Sequence, residues 1–166
     1  AGDAVYITKD LKIARYTTVP EVCFTFSFAP YTAASSGLQS GESCPAVAPV
    51  SASYSAEDGC DISSGKLTKT VQVCFPEFPH AGVYAYKVTE SDDFTPCEGE
   101  ELMNDEAYYI VRVYVVNCDG GTEIRYVTVE KFDDPCDLNG EKVEVCENGE
   151  LNGFKFVNTY TKCADG

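Results

Sequence analysis

Three polar residues stand at positions that strand alternation assigns to the protein core. In a segment with a repeat of two, side chains of equal parity share one face. Lys9 falls between Ile7 and Leu11, Glu90 has the parity of the apolar residues before it, and Asn158 shares the face of two phenylalanines. A lone buried charge is costly, so such an amine, carboxyl and carboxamide are expected to need one another.

Together these groups have the chemistry to form a covalent bond. Burial disfavours the charged forms, so Lys9 is expected to present a neutral, nucleophilic amine and Glu90 a protonated carboxyl. Glu90 can then donate to the side-chain carbonyl oxygen of Asn158 and polarise it. Attack by Lys9, with Glu90 relaying a proton to the departing ammonia, yields an isopeptide bond between the first and last strands.

Two simpler interpretations involve no reaction. Lys9 stands near the start of its strand and Glu90 closes its own, so each could reach water at the rim of the fold. Alternatively, Lys9 and Glu90 form a buried ion pair, and Asn158 satisfies the remaining hydrogen bonds.

The repeat of two extends over almost the whole chain and predicts an all-β fold. Short alternating strands at this spacing are typical of an immunoglobulin-like β-sandwich. A length of 166 residues predicts one domain, 1–166. Asp119-Gly120-Gly121 is a hairpin signal. The main predicted strand segments are 5–13, 24–28, 71–75, 84–90, 109–115, 124–126 and 154–160.

Three stretches between these strands predict long loops. Residues 31–65 are rich in Ser, Ala, Gly and Pro and predict a surface excursion, in which Tyr54 is expected to be exposed. Residues 91–106 predict an acidic loop, and residues 133–152 are rich in turn formers. The loops at 31–65 and 91–106 are either disulfide-pinned decoration or, in an adhesin, the ligand-binding surface.

Nine cysteines without a Cys-x-x-Cys motif indicate disulfides in an oxidising, extracellular compartment. Locality suggests pairing within two of the loops, and a further pair is expected if two strands are neighbours. The predicted pairs are Cys44–Cys60, Cys136–Cys146 and Cys23–Cys74. The cysteines left over are Cys97, Cys118 and Cys163, with Cys163 a candidate for the unpaired thiol.

Composition excludes several classes of function. Acidic residues outnumber basic ones by 27 to 12, for a net charge of -15, which argues against nucleic acid and anionic membranes as partners. The chain has one histidine, so neither a metal site nor a cofactor is expected. A cysteine-based redox enzyme would need a thiol beside a basic group, whereas the cysteines here have neutral or acidic neighbours.

Four segments, in this order, resemble the pilin isopeptide-linkage domain of streptococcal-type major pilins and related Gram-positive surface proteins. The segments are Tyr6-Ile-Thr-Lys-Asp-Leu11, Phe24-Thr-Phe-Ser-Phe28, Gly82-Val-Tyr-Ala-Tyr-Lys-Val-Thr-Glu90 and Phe154-Lys-Phe-Val-Asn-Thr-Tyr160. The resemblance implies a sandwich of the collagen-adhesin B type. It also implies Lys9 as nucleophile, Asn158 as electrophile and Glu90 as catalytic carboxyl.

The chain departs from this family in several places. Asn104-Asp105 stands where the family often has Tyr-Asp, so only the acidic residue is kept. Glu150-Leu151-Asn152 occupies the place where polymerising pilins offer a lysine, and a Leu-Pro-x-Thr-Gly sorting signal is missing from this sequence. Sortase-built polymerisation is therefore not supported by the sequence.

The resemblance favours a structural subunit or stalk module of an extracellular pilus on the cell surface. Its partners are then other copies of itself or other pilus subunits. Isopeptide formation is a single self-reaction, so the chain is not expected to be an enzyme. The alternative is a surface adhesin module that binds host protein or glycan through its long loops.

Overall fold

The structure, a computed structural model, consists of ten β-strands and two short 3-10 helices over residues 4–60, 64–145 and 153–163. The helices span Thr32–Ala34 and Ala56–Cys60. The strands are β1 (Tyr6–Ile13), β2 (Val22–Pro30), β3 (Val50–Tyr54), β4 (Lys66–Gln72), β5 (Gly82–Asp92), β6 (Glu100–Met103), β7 (Tyr108–Cys118), β8 (Gly121–Phe132), β9 (Glu141–Val143) and β10 (Lys155–Lys162).

The strands form two sheets. A four-stranded sheet has the order β4-β1-β10-β6, and a six-stranded sheet has the order β3-β2-β5-β7-β8-β9. The first and last strands, β1 and β10, are neighbours and run parallel, with Lys9 opposite Phe156. The other strand pairs of the described residues are antiparallel. The predicted all-β fold is thereby confirmed, and the hairpin predicted at Asp119-Gly120 joins β7 to β8.

The two sheets pack face to face around an aromatic core. The Phe26 ring on β2 stacks on the Phe156 ring on β10, with centroids 5.1 Å apart. Tyr109 on β7 contacts the same phenylalanine in an edge-on arrangement, with centroids 5.0 Å apart. Alternate residues of β2 and β10 are buried, as a repeat of two requires when only one face meets the core.

The stretch from 31 to 65 is more ordered than a surface excursion. It contributes β3, which pairs with β2, and its cysteine at 44 is buried. Tyr54 is 1% exposed, so the prediction of an exposed aromatic is wrong. Its hydroxyl donates to the backbone oxygens of Lys9 and Leu67, which ties β3 to the facing sheet. The adhesin hypothesis thereby loses its candidate aromatic.

Candidate functional site

Lys9 lies at the centre of β1 with its side chain in the core. The residue is fully buried, and its Nζ atom lies 4.0 Å from the centroid of the Phe24 ring. Burial lowers the pKa of Lys9, although the neighbouring Glu90 carboxylate opposes the shift. The interpretation in which Lys9 reaches water at the rim is therefore wrong.

Glu90 faces Lys9 from the other sheet. Its side chain is 4% exposed, and its Oε2 atom lies 2.9 Å from Lys9 Nζ. Among the described residues this oxygen accepts no well-aligned hydrogen bond. Burial raises the pKa of Glu90 to about 7, while the charge of Lys9 opposes the rise. The carboxyl can therefore hold or release a proton near neutral pH.

Asn158 completes the site from β10. It is 1% exposed, and its Oδ1 atom accepts a hydrogen bond from Lys9 Nζ. Its Nδ2 atom donates to the backbone oxygen of Met103, at 3.0 Å. The amide therefore turns its oxygen toward the lysine and its nitrogen toward the last residue of β6.

The structure brings together all three residues that the alternation singled out. The amine of Lys9 contacts both the carboxyl of Glu90 and the amide of Asn158 in a buried site beside the Phe24 ring. This arrangement places a nucleophile, a proton carrier and an acyl group within reach of one another, away from competing water. In the described part of the chain, no group of three or more His, Cys, Asp or Glu side chains could hold a metal ion.

Two contacts around the site were not anticipated from the sequence. Met103 holds the amide nitrogen of Asn158 through its backbone oxygen, which no side-chain pattern reveals. Asp105 accepts the backbone N–H of Val157, the residue before Asn158, at 2.7 Å. The sequence offered one signal for the second contact, since Asp105 is the acidic residue kept at a position where the family pattern has one.

The structure forms none of the three predicted disulfides. Cys23 on β2 and Cys74, two residues after β4, are free, and these strands belong to different sheets, so the condition for their pairing, that the strands be neighbours, is not met. Cys44 is free and buried, with its Sγ atom 3.4 Å from Ser35 Oγ. Cys136 is free and exposed. The side chain of Cys60 and the whole of Cys146 lie outside the described residues.

The remaining described cysteines form no disulfide. Cys97, Cys118 and Cys163 are free and exposed. Across the described ranges, no helix is long and apolar enough to cross a membrane.

Comparisons with known proteins identify the family and the fold. The model of the family described as FctA, Spy0128-like isopeptide containing domain, matches residues 6–161. A crystal structure of the major pilin from Streptococcus pyogenes has 23% identity and a TM-score of 0.65, covering 96% of this chain and 50% of the pilin chain. A search among curated proteins found no match.

Two mutant structures of the Streptococcus pyogenes major pilin also match. An Asn-to-Ala mutant has 24% identity and a TM-score of 0.66, and a Glu-to-Ala mutant has 24% identity and a TM-score of 0.68. Each alignment covers 96% of this chain and 51% of the pilin chain. The chain thus spans about half the length of these pilins, and the likeness concerns the fold.

Proposed function

Because the chain belongs to the Spy0128-like isopeptide containing domain family, we propose that it is a structural module of an extracellular pilus. In this proposal residues 1–166 form one domain, an immunoglobulin-like sandwich of the collagen-adhesin B type. It is stabilised by an isopeptide bond between Lys9 and Asn158, which forms with Glu90 as the catalytic carboxyl. Its partners are other copies of itself or other pilus subunits on the cell surface.

One observation carries the proposal. A fully buried lysine amine contacts a buried carboxyl and a buried carboxamide at the same time, between the first and last strands. A purely structural ion pair does not need the third group, and a structural asparagine does not need an amine at its oxygen. A buried ion pair contributes little to stability, because both charges must be moved out of water. Formation of the isopeptide bond would remove both charges, so the proposed reaction accounts for their burial.

The reaction follows from the contacts. Transfer of a proton from Lys9 to Glu90 leaves a neutral amine and a carboxylic acid, both favoured by the apolar surroundings. The Nζ atom attacks Cγ of Asn158, while the acid donates to the developing oxyanion. Glu90 then passes its proton to Nδ2 and takes one proton in exchange from the attacking nitrogen, which keeps a single hydrogen in the new amide. The Cγ–Nδ2 bond breaks, ammonia leaves, and a neutral amide joins the two strands.

The strand order explains what the bond would do for a fibre. Since β1 and β10 are parallel, the start of β1 and the end of β10 lie at opposite ends of the sheet. Tension applied at those two points would pass through β1, across the Lys9–Asn158 bond and along β10. The rest of the fold would then lie outside the direct path of the force.

Intact mass under reduction and full denaturation tests the proposal. We expect the wild-type chain to be lighter than its sequence by one ammonia and the Glu90→Ala variant to have its full mass. Glu106→Ala, which removes an exposed carboxylate nearby, is the matched control and should keep the loss. Full mass in the folded wild-type chain would leave the three residues as a buried polar cluster and overturn the cross-link.

A further inference from the structure

Strand β6 ends before it has covered the whole edge of β10. The two strands pair from Thr159 opposite Met103 to Lys162 opposite Glu100. The backbone N–H of Val157 points to the same side of β10, beyond the end of β6. A backbone donor that is withdrawn from water without gaining a partner is costly, so this partly buried position needs an acceptor from elsewhere.

Asp105 supplies that acceptor. Its Oδ2 atom accepts the N–H of Val157 at 2.7 Å, and its Oδ1 atom accepts the N–H of Ala107 at 2.9 Å. One carboxylate therefore extends the ladder of β10 by a residue and fixes the turn that follows β6. Hydrogen bonds to an ionised acceptor are stronger than neutral ones, which makes this a firm attachment.

This attachment lies directly beside the electrophile. Asn158 follows Val157, and its Nδ2 atom donates to Met103, two residues before Asp105. If the amide were reversed, its NH₂ group would face the amine of Lys9, and two donors would oppose each other. The placement of the Met103 oxygen thus decides which end of the amide faces the nucleophile.

We infer that Asp105 is a positioning residue for isopeptide formation. It holds Val157 and the end of β6 so that the carbonyl of Asn158 faces Lys9 while the leaving nitrogen stays on the oxygen of Met103. The inference rests on the proposed function and adds a fourth residue to it. In the reaction, the Nζ–Cγ bond forms, the Cγ–Nδ2 bond breaks, and the ammonia is released beside an acceptor already bound to it.

The charge of Asp105 has a second, measurable consequence. The groups whose charges act on Glu90 are Lys9 on β1, Asp92 on its own strand and Asp105 after β6. The negative charge of Asp105 raises the pKa of Glu90 and also that of Lys9. Removing this charge lowers both pKa values, so the pH profile of the reaction should move to lower pH as a whole.

The test compares Asp105→Ala, Asp105→Asn and the exposed neighbour Glu106→Ala. Chains from a cell-free synthesis are quenched in acidic denaturant before they react and are then diluted into buffers of different pH. Intact mass follows the loss of ammonia with time, and circular dichroism with amide exchange at Val157 follows folding.

We expect Asp105→Ala to react about ten- to a hundredfold more slowly than wild type, the scale of a small misplacement of reacting groups. Asp105→Asn keeps one side-chain acceptor, so it should recover part of the rate, with its pH profile moved to lower pH. Glu106→Ala should match the wild-type rate.

The possible failures are distinguishable. Wild-type rates in folded Asp105→Ala and Asp105→Asn would overturn the positioning role alone. A slow Asp105→Ala variant without partial recovery in Asp105→Asn and without any movement of the pH profile would make Asp105 merely structural, and this also overturns the inference. A folded wild-type chain that never loses ammonia would overturn the cross-link and the positioning role together.

Discussion

Two consecutive residues of β1 build two different polar clusters on opposite faces of one sheet. Lys9 points into the core, where it contacts Glu90 and Asn158 and is fully buried. Asp10 points the other way and is 4% exposed. It accepts a hydrogen bond from Thr68 at 2.5 Å, and Lys66 and Lys155 approach it at 3.8 and 3.7 Å.

The difference lies in which partner is buried. In the first cluster both the amine and the carboxyl are enclosed, so neutral forms compete with the ion pair. In the second cluster the lysines are 48% and 41% exposed in their side chains and keep their hydration. A lysine becomes a nucleophile when its amine loses water, and only the first cluster achieves this. A nearby carboxylate alone is therefore not sufficient to make a lysine nucleophilic.

The largest effect expected from breaking the first cluster is the loss of the proposed covalent bond between Lys9 and Asn158. Lys9 and Asn158 are 149 positions apart in the chain, and closing a loop of that size is worth roughly 5 kcal/mol by analogy with a disulfide. Asn158→Ala keeps the Lys9–Glu90 pair and should lower the free energy of unfolding by about that amount, measured by denaturant titration. Asn139→Ala, at an exposed asparagine, serves as the control and should change little.

The pH dependence of the bond-forming rate tests the protonation states of the first cluster. The reaction needs one proton shared between Lys9 and Glu90, which titrate as a coupled pair. Below the pKa of Glu90, raised by burial to about 7, both groups are protonated and the amine cannot attack. Above the lowered pKa of Lys9 the pair has lost its proton. We expect a bell-shaped profile.

The measurement is the initial rate of ammonia loss across a pH series in quenched and refolded chains. The rate should fall by about tenfold for each pH unit below about 7, as expected when one added proton inactivates the pair. A rate that stays constant from acidic to alkaline pH would show that Lys9 and Glu90 do not exchange a proton, and the two clusters would then not differ in the way argued above.

The sequence predicted the first cluster because side-chain parity is a local property of each strand. It placed Lys9, Glu90 and Asn158 on apolar faces without knowledge of the strand order. The burial of Asp10 could not be predicted in this way. Its strand face carries polar residues, and its enclosure depends on β4 and β10 lying on either side of β1.

The predictions for residues 31–65 and for the cysteine pairs failed for a related reason. The strand Val50–Tyr54 alternates two serines with valine, alanine and tyrosine, so the sequence gives only a short and weak hydrophobic pattern for a strand that pairs with β2. Pairing between Cys23 and Cys74 required β2 and β4 to be neighbours, and this depends on the assignment of strands to sheets. Properties that depend on the topology were available only through the resemblance to a family.

Breaking the second cluster should have an intermediate effect. Asp10→Ala removes the acceptor of the Thr68 hydroxyl and a buried carboxylate, which should cost about 1–3 kcal/mol of unfolding free energy. The loss of ammonia should still go to completion, because Asp10 points away from the amine of Lys9 and its charge raises the pKa of Lys9 less than the charges of Glu90 and Asp105 do. Peptide mapping of the wild type should find no bond from Asp10 to Lys66 or Lys155. Such a bond, or a loss of the Lys9–Asn158 link in the variant, would contradict the distinction between the clusters.

The smallest effects are expected from the half-exposed lysines. Lys66→Ala and Lys155→Ala should each cost no more than about 1 kcal/mol, because a solvated ion pair gains little and salt screens it. Their effects on the unfolding free energy should shrink further in high salt, whereas the effect of Asn158→Ala, which removes the proposed covalent bond, should persist. If either substitution caused a large loss of unfolding free energy that salt did not reduce, the second cluster would be as shielded from water as the first. Burial of the lysine amine would then not explain why the first cluster is expected to react and the second is not.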